Sequence, residues 1–182
     1  NHVVNRGSSM RLDEKIKNED VSIERVTKGI QITLRGNLFQ SMKANVNKSY
    51  IPIIQEISKI IEDCRLFNIE SSKQYSSLLS FLDEGNQELN VEIRCEGHTD
   101  DAILPPQSDY RNNWELSSAR SLRVVQIMND ASTISEKYFS YNGYGEFRPL
   151  INVAGIDDFQ KKKQARAYNR RVEIYLDAFA RP

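Results

Sequence analysis

His98 and Asp100 are separated by one residue in Gly97-His98-Thr99-Asp100, and an imidazole beside a carboxylate is suited to general acid–base catalysis. Such catalysis also needs a nucleophile or an activated water, and a group that orients the base. The chain has no Gly-x-Ser-x-Gly elbow and no histidine pair at metal-binding spacing, and its other histidine, His2, lies in a polar N-terminal stretch. His98 is therefore read as a structural residue at a strand end, and no catalytic residue is assigned. Three further patterns place polar groups at fixed spacing: Asn113-Trp114-Glu115-Leu116-Ser117-Ser118-Ala119-Arg120, Gly143-Tyr144-Gly145-Glu146-Phe147-Arg148-Pro149 and Asn169-Arg170-Arg171-Val172-Glu173-Ile174. Taken singly, each residue has an ordinary role open to it. Asp100 can cap a turn, Asn113 a helix, and Arg120 can be a solvated or surface-paired side chain. Arg170 and Arg171 can pair with Glu173 or Glu146 at a strand entry. Lys161-Lys162-Lys163 with Arg166 looks like a nucleic-acid patch in isolation, but 25 basic residues are balanced by 25 acidic ones. Without a net positive field, the run is read as a solvated helix face and no nucleic acid is expected.

These residues need a framework, and 182 residues that are 39% hydrophobic can bury one core. Residues 1–25 are polar and aperiodic and read as a flexible linker arm. Ile30, Ile32 and Leu34 alternate as a strand, and Tyr50, Ile53, Ile54, Ile57, Ile60 and Ile61 recur at helical spacing, with Pro52 tolerated in the first turn. Tyr75, Leu78, Leu79 and Leu82 predict a second helix closed by Gly85 in a left-handed cap. Val91, Ile93 and Cys95 predict a strand leading to Asp100. Asn113 then caps a helix whose apolar side includes Leu116, Ala119, Leu122 and Val125. A short strand at 138–142, a Lys-rich helix at 157–165 and a last strand with Val172, Ile174 and Leu176 complete the chain, with Tyr141, Tyr144 and Phe147 expected in core and turn packing. This alternation predicts an α/β two-layer sandwich. No segment approaches the 18 or more apolar residues of a membrane span, and no signal peptide is visible, so an anchoring segment either does not exist or lies outside these residues. Cys64 and Cys95 are too few for a zinc site of the four-ligand kind; a single disulfide between them stays open. No metal and no cofactor are expected.

In this order and at these separations, the four patterns resemble the OmpA-like peptidoglycan-binding domain, and the first two are most similar to its MotB branch. The resemblance runs from about Gly29 to Leu176 and includes Leu38-Phe39 after the first strand. It implies a βαβαβ core with a mixed sheet in residues 26–180, here with an extra inserted helix in 63–90 that is a candidate partner surface. It also implies a non-enzymatic grip on the diaminopimelate of the peptidoglycan stem peptide. That ligand end is a zwitterion, so Asp100 would take the ammonium, Arg120 the carboxylate through its bidentate fork, and Asn113 would assist while Arg170 closes the site. The partners implied are peptidoglycan, a second copy in a homodimer, and a MotA-like inner-membrane channel subunit reached through an N-terminal membrane helix absent from this chain. The location implied is the periplasm, and the role is to anchor an ion-driven stator. A MotB-like subunit of the Zorya anti-phage motor, and an OmpA/Pal-type or type VI secretion envelope anchor, share the same ligand site. Two departures stand out: Asp101-Ala102 follow Asp100 where the family often has a hydroxyl, and the loop continues through Pro105-Pro106 to Arg111.

Overall fold

The strands predicted by period-two alternation join one five-stranded mixed sheet in the computed structural model, which describes residues 20–27, 29–64, 67 and 76–182. In chain order the elements are β1 (Val21–Val26), β2 (Gly29–Leu34), α1 (Ile51–Glu62), α2 (Ser76–Glu84), β3 (Glu88–His98), α3 (Asn113–Asp130), β4 (Phe139–Gly143), α4 (Phe159–Asn169) and β5 (Arg171–Arg181). The strand order is β1-β2-β5-β3-β4; β3 and β4 run parallel and the other neighbours antiparallel. One sheet face presents Ile30, Ile32, Leu34, Ile93, Cys95, Val172, Ile174 and Leu176, and α1 and α3 cover it with Ile54, Ile57, Ile61, Val124, Ile127 and Met128. This is the two-layer sandwich that the alternation predicts. Helix α1 starts with Pro52 where no amide donor is needed, and Ser58 Oγ donates to the Met128 carbonyl at 2.7 Å to tie it to α3.

Several local expectations change. β1 lies partly within the stretch read as an arm: Val21 and Ile23 pack against the core, but Ser22, Glu24 and Arg25 give this edge strand a polar character that hides it. Residues 1–19 lie outside the described residues, as does Tyr75 of the predicted second helical stripe. That stripe becomes α2, with Leu82 buried and Phe81 exposed. The left-handed residue after it is Asn86 at φ 49°, because the Gly85 amide still donates helically to Phe81 and Leu82.

The buried face of α3 is rotated from the predicted stripe. It runs through Leu116, Ser117, Arg120, Ser121, Val124, Ile127 and Met128, while Ala119, Leu122 and Val125 are only half-buried. Two serines replace large apolar groups because the helix lies almost on the sheet. A Cβ on Gly97 would meet the Ser117 carbonyl oxygen at 2.1 Å, closer than real contacts allow, and one on Gly143 would meet the Ser118 nitrogen at 2.3 Å. The buried hydroxyls are satisfied: Ser121 Oγ donates to the Asn142 carbonyl at 2.9 Å, and Ser117 Oγ accepts from the Gly145 amide at 2.9 Å. This close approach carries Arg120 inside.

Candidate functional site

A cavity of about 380 Å³ opens beyond the C-terminal end of β3, between the 36–42 loop, the loop after β3 and the first turns of α3. Asp100, Asn113, Arg120 and Arg170 all line it. Sheet register brings two of them together. His98 pairs with Arg171 across β3 and β5, so the flanking residues Asp100 and Arg170 meet, with Arg170 Nη1 donating to Asp100 Oδ2 at 2.5 Å. The other Asp100 oxygen, Oδ1, accepts from the Ala102 amide at 3.1 Å, which shapes the turn. Asn113 fastens that same turn, its Nδ2 donating to the Ala102 carbonyl at 3.0 Å. The helix cap expected of Asn113 falls instead to Asn112, whose side chain accepts from the Glu115 amide at 3.0 Å, because only a residue three before Glu115 reaches that donor.

Arg120 is 5% exposed. Its Nε donates to the Lys43 carbonyl at 3.0 Å, and its guanidinium lies 4.8 Å from the Phe39 ring centre. Among the described residues no carboxylate comes within ion-pair distance of it. Burial pulls its pKa down to about 10; Asp100 opposes this and Arg170 adds to it, so the group stays cationic at neutral pH. The cavity thus offers one carboxylate shared with a half-exposed guanidinium, and one buried guanidinium without an anionic partner.

Contacts beside the cavity hold the loops that form it. Asp101 forms a two-point ion pair with Arg166 in the last turn of α4, at 2.6 and 3.0 Å, and this contact holds the Asp101 carboxyl below its usual range. The β2–α1 loop supplies the Phe39 ring and the Lys43 carbonyl. Its sequence carried one signal, the Leu38-Phe39 pair, which here divides the labour: Leu38 is buried in the core and Phe39 faces Arg120.

The remaining marked residues lie elsewhere. His98 is buried below the cavity, stacked on Tyr144 at 5.5 Å, and burial together with Arg171 holds its pKa at about 4, so the ring is neutral. Trp114 does not line the cavity; it is half-exposed and stacks on Phe147 at 5.0 Å. Phe147 and Tyr141 are exposed rather than in the core, Phe147 on the turn that follows β4 and Tyr141 on β4 itself, an edge strand of the sheet. Lys161 and Lys163 are solvated. Arg171 pairs with Glu173 at 2.6 Å. Cys64 and Cys95 are both buried, and no disulfide joins them.

A family model described as the OmpA family matches residues 65–163, more than half of the chain. Motility protein B of Bacillus subtilis (strain 168) is 26% identical over 165 residues, which is 90% of this chain and 51% of that protein, so the chain spans about half of this relative. The fold is similar to the periplasmic domain of Helicobacter pylori MotB (residues 90–256), with a TM-score of 0.64 and 23% identity over 88% of this chain and 81% of that one. It is equally similar to the cell wall anchor of the type VI secretion system from Pseudomonas aeruginosa, with a TM-score of 0.65 and 23% identity over 96% and 100% of the two chains. With its mixed sheet, its crossing helices and the matched segment from α2 to α4, the chain belongs to the OmpA family.

Proposed function

We propose that this domain binds peptidoglycan without covalent chemistry, gripping the diaminopimelate of the stem peptide, and so anchors an inner-membrane, ion-driven stator to the cell wall. The observation that carries this reading is Arg120, a buried guanidinium with no anionic partner among the described residues, in a cavity that also holds Asp100. A buried charge without its counter-charge is costly, and a ligand carboxylate supplies one. The free amino-acid end of diaminopimelate brings a carboxylate and an ammonium on one carbon. In the bound state the carboxylate lies on Arg120, with Arg170 swung onto its outer side, and the ammonium takes the Asp100 oxygen that Arg170 gives up. Asn113 keeps the turn in place and orients its amide toward the ligand. Nothing in this cycle breaks a bond; the domain holds.

The likeness to Motility protein B and to the MotB periplasmic domain supports the stator assignment. In this reading the domain lies on the periplasmic side, pairs as a homodimer and has a MotA-like channel subunit as its membrane partner. The likeness to a type VI secretion cell wall anchor, over nearly the whole of both chains, favours a second reading in which the same grip serves a secretion machine. Affinity for one stem peptide is modest, because two charges are desolvated for each small ligand, and repeated sites along the polymer supply avidity.

Co-sedimentation with purified sacculi containing diaminopimelate tests the proposal. The parent chain pellets, while Asp100→Asn and Arg120→Met, each shown to be folded by circular dichroism, remain in the supernatant. Pelleting of both folded variants at the parent's level overturns the assignment.

A further inference from the structure

The sheet face opposite the apolar core carries a ladder of ionisable side chains. Across β3 and β5, Glu92 pairs with Asp177, Arg94 with Tyr175, Glu96 with Glu173, and His98 with Arg171. Like charges directly opposite each other destabilise an antiparallel pair, and Glu96 and Glu173 are also buried, at 7% and 5% exposed. Two guanidiniums offset part of that cost. Arg94 Nε donates to Glu96 Oε1 at 2.8 Å, and Arg171 Nε to Glu173 Oε1 at 2.6 Å. Each of these bonds engages one carboxylate oxygen. Glu173 Oε2 accepts from the Tyr175 hydroxyl at 2.7 Å and lies 3.7 Å from His98 Nε2, beyond hydrogen-bond reach. His98 is 2% exposed, and among the described residues neither ring nitrogen has a hydrogen-bond partner. Native interiors seldom leave both nitrogens of an imidazole unsatisfied beside two carboxylates.

We propose that Glu96, His98 and Glu173 form a site for one divalent transition-metal ion of the zinc type, bound by an imidazole nitrogen and one oxygen from each carboxylate. The candidate ligand atoms already lie within 4.8 Å of one another. Bonds of about 2 Å in a tetrahedral zinc site put ligands roughly 3.3 Å apart, so the gap between His98 and Glu173 closes by a few tenths of an ångström. A nitrogen and carboxylate oxygens suit zinc, whereas soft copper(I) needs sulfur. Arg94, Arg171 and Tyr175 then serve as outer partners that fix the carboxylates, a support that metal-binding carboxylates generally require. The charges facing the ion are Glu92, Glu96, Glu173 and Asp177 against Arg94, Arg171 and Arg148, whose guanidinium lies 3.6 Å over the Tyr144 ring. The negative side exceeds the positive by one. Exposed Arg148 and the Tyr144 ring beneath it cover His98, and their displacement opens the entry route. An ion here ties β3 to β5 directly below Asp100 and Arg170.

Equilibrium dialysis of the whole chain against Zn²⁺, in a His2→Ala background and with metal analysis, measures the site. One ion per chain is expected. The Co²⁺ form should show a ligand-field spectrum of nitrogen and oxygen ligation without a thiolate charge-transfer band. His98→Phe keeps the stack on Tyr144, and Glu96→Gln keeps the side-chain shape; each should weaken binding by about tenfold or more. No uptake by the parent at millimolar Zn²⁺, unchanged uptake in a folded variant, or a thiolate band overturns the proposal. Should His98→Phe fail to fold, Glu96→Gln alone decides.

Discussion

Arg120→Met distinguishes a guanidinium kept for a ligand from one kept for the fold. Burial lowers the pKa of this group from its ordinary value to about 10, which corresponds to disfavouring its charged form by about 3 kcal/mol. Methionine removes that cost. It also removes the hydrogen bond to the Lys43 carbonyl, worth about 1–1.5 kcal/mol, and the stacking of the cation on Phe39, worth about 0.5–1 kcal/mol. Lys43 is exposed, so water replaces the lost donor, and the thioether still packs on the Phe39 ring. The variant should therefore be about 1 kcal/mol more stable than the parent, with a Tm higher by about 2–4 °C for a domain of this size. Urea unfolding should show a higher midpoint at an unchanged slope, and sacculus binding should disappear. A loss of stability of about 2 kcal/mol or more would mean that Arg120 is a strut of the fold, since that is the scale of a broken buried polar network. Retained pelleting would remove it from the site altogether.

His98 makes stability depend on pH. Its folded pKa of about 4 lies below the unfolded value of 6.5, so the unfolded chain takes up the proton first; stability is complete above about pH 6.5 and is lost as the pH falls toward 4. With chelator present, urea titrations should give about 2 kcal/mol less stability at pH 5 than at pH 7. His98→Phe should flatten the difference, and a parent profile already flat over that range would refute the assignment. Gly97→Ala forces a methyl group against the Ser117 carbonyl and should cost about 3 kcal/mol or displace α3, read as a lower urea midpoint together with lost sacculus binding. A cost below about 1 kcal/mol would show that the helix can lift freely. Asn112→Ala should cost about 1 kcal/mol through the lost cap, whereas Asn113→Ala should leave the cap intact and reduce binding; equal effects of the two on thermal unfolding would contradict the division of labour between these neighbours.

How far the sequence could be read depended on where apolar residues marked a buried face. β2, β3 and β5 were legible because Ile30, Ile93 and Ile174 and their alternating neighbours all point into one core. The same count misplaced α3, since its innermost positions hold Ser117, Arg120 and Ser121, and only the missing side chains of Gly97 and Gly143 let such small or polar groups face the sheet. Period alone selects Leu122 and Val125 in their place. β1 escaped notice as a half-polar edge. The charged ladder could not be foreseen either: Glu96 and Glu173 are 77 positions apart, and only the register of β3 against β5 makes them neighbours. The four cavity residues were visible as motifs, but the ion pair of Asp101 with Arg166 of α4, and the Lys43 carbonyl, depend on approaches between distant segments that no local spacing encodes.

The strand register also determines how the domain carries a load. Val21 pairs with Leu34, Leu34 with Val172, and Val172 with Gly97, so the first residue of β1 emerges at the same end of the sheet as Asp100 and Arg170. A pull between Val21 and an object held in the cavity therefore runs across the strands, from the β1 edge toward β3 and β5. Such a force opens the β1–β2 hydrogen bonds one after another, as a zipper, while the long β3–β5 ladder beneath the grip stays closed. Under such a pull β1 would yield first, adding its own contour to the extended chain while the β3–β5 ladder stays paired.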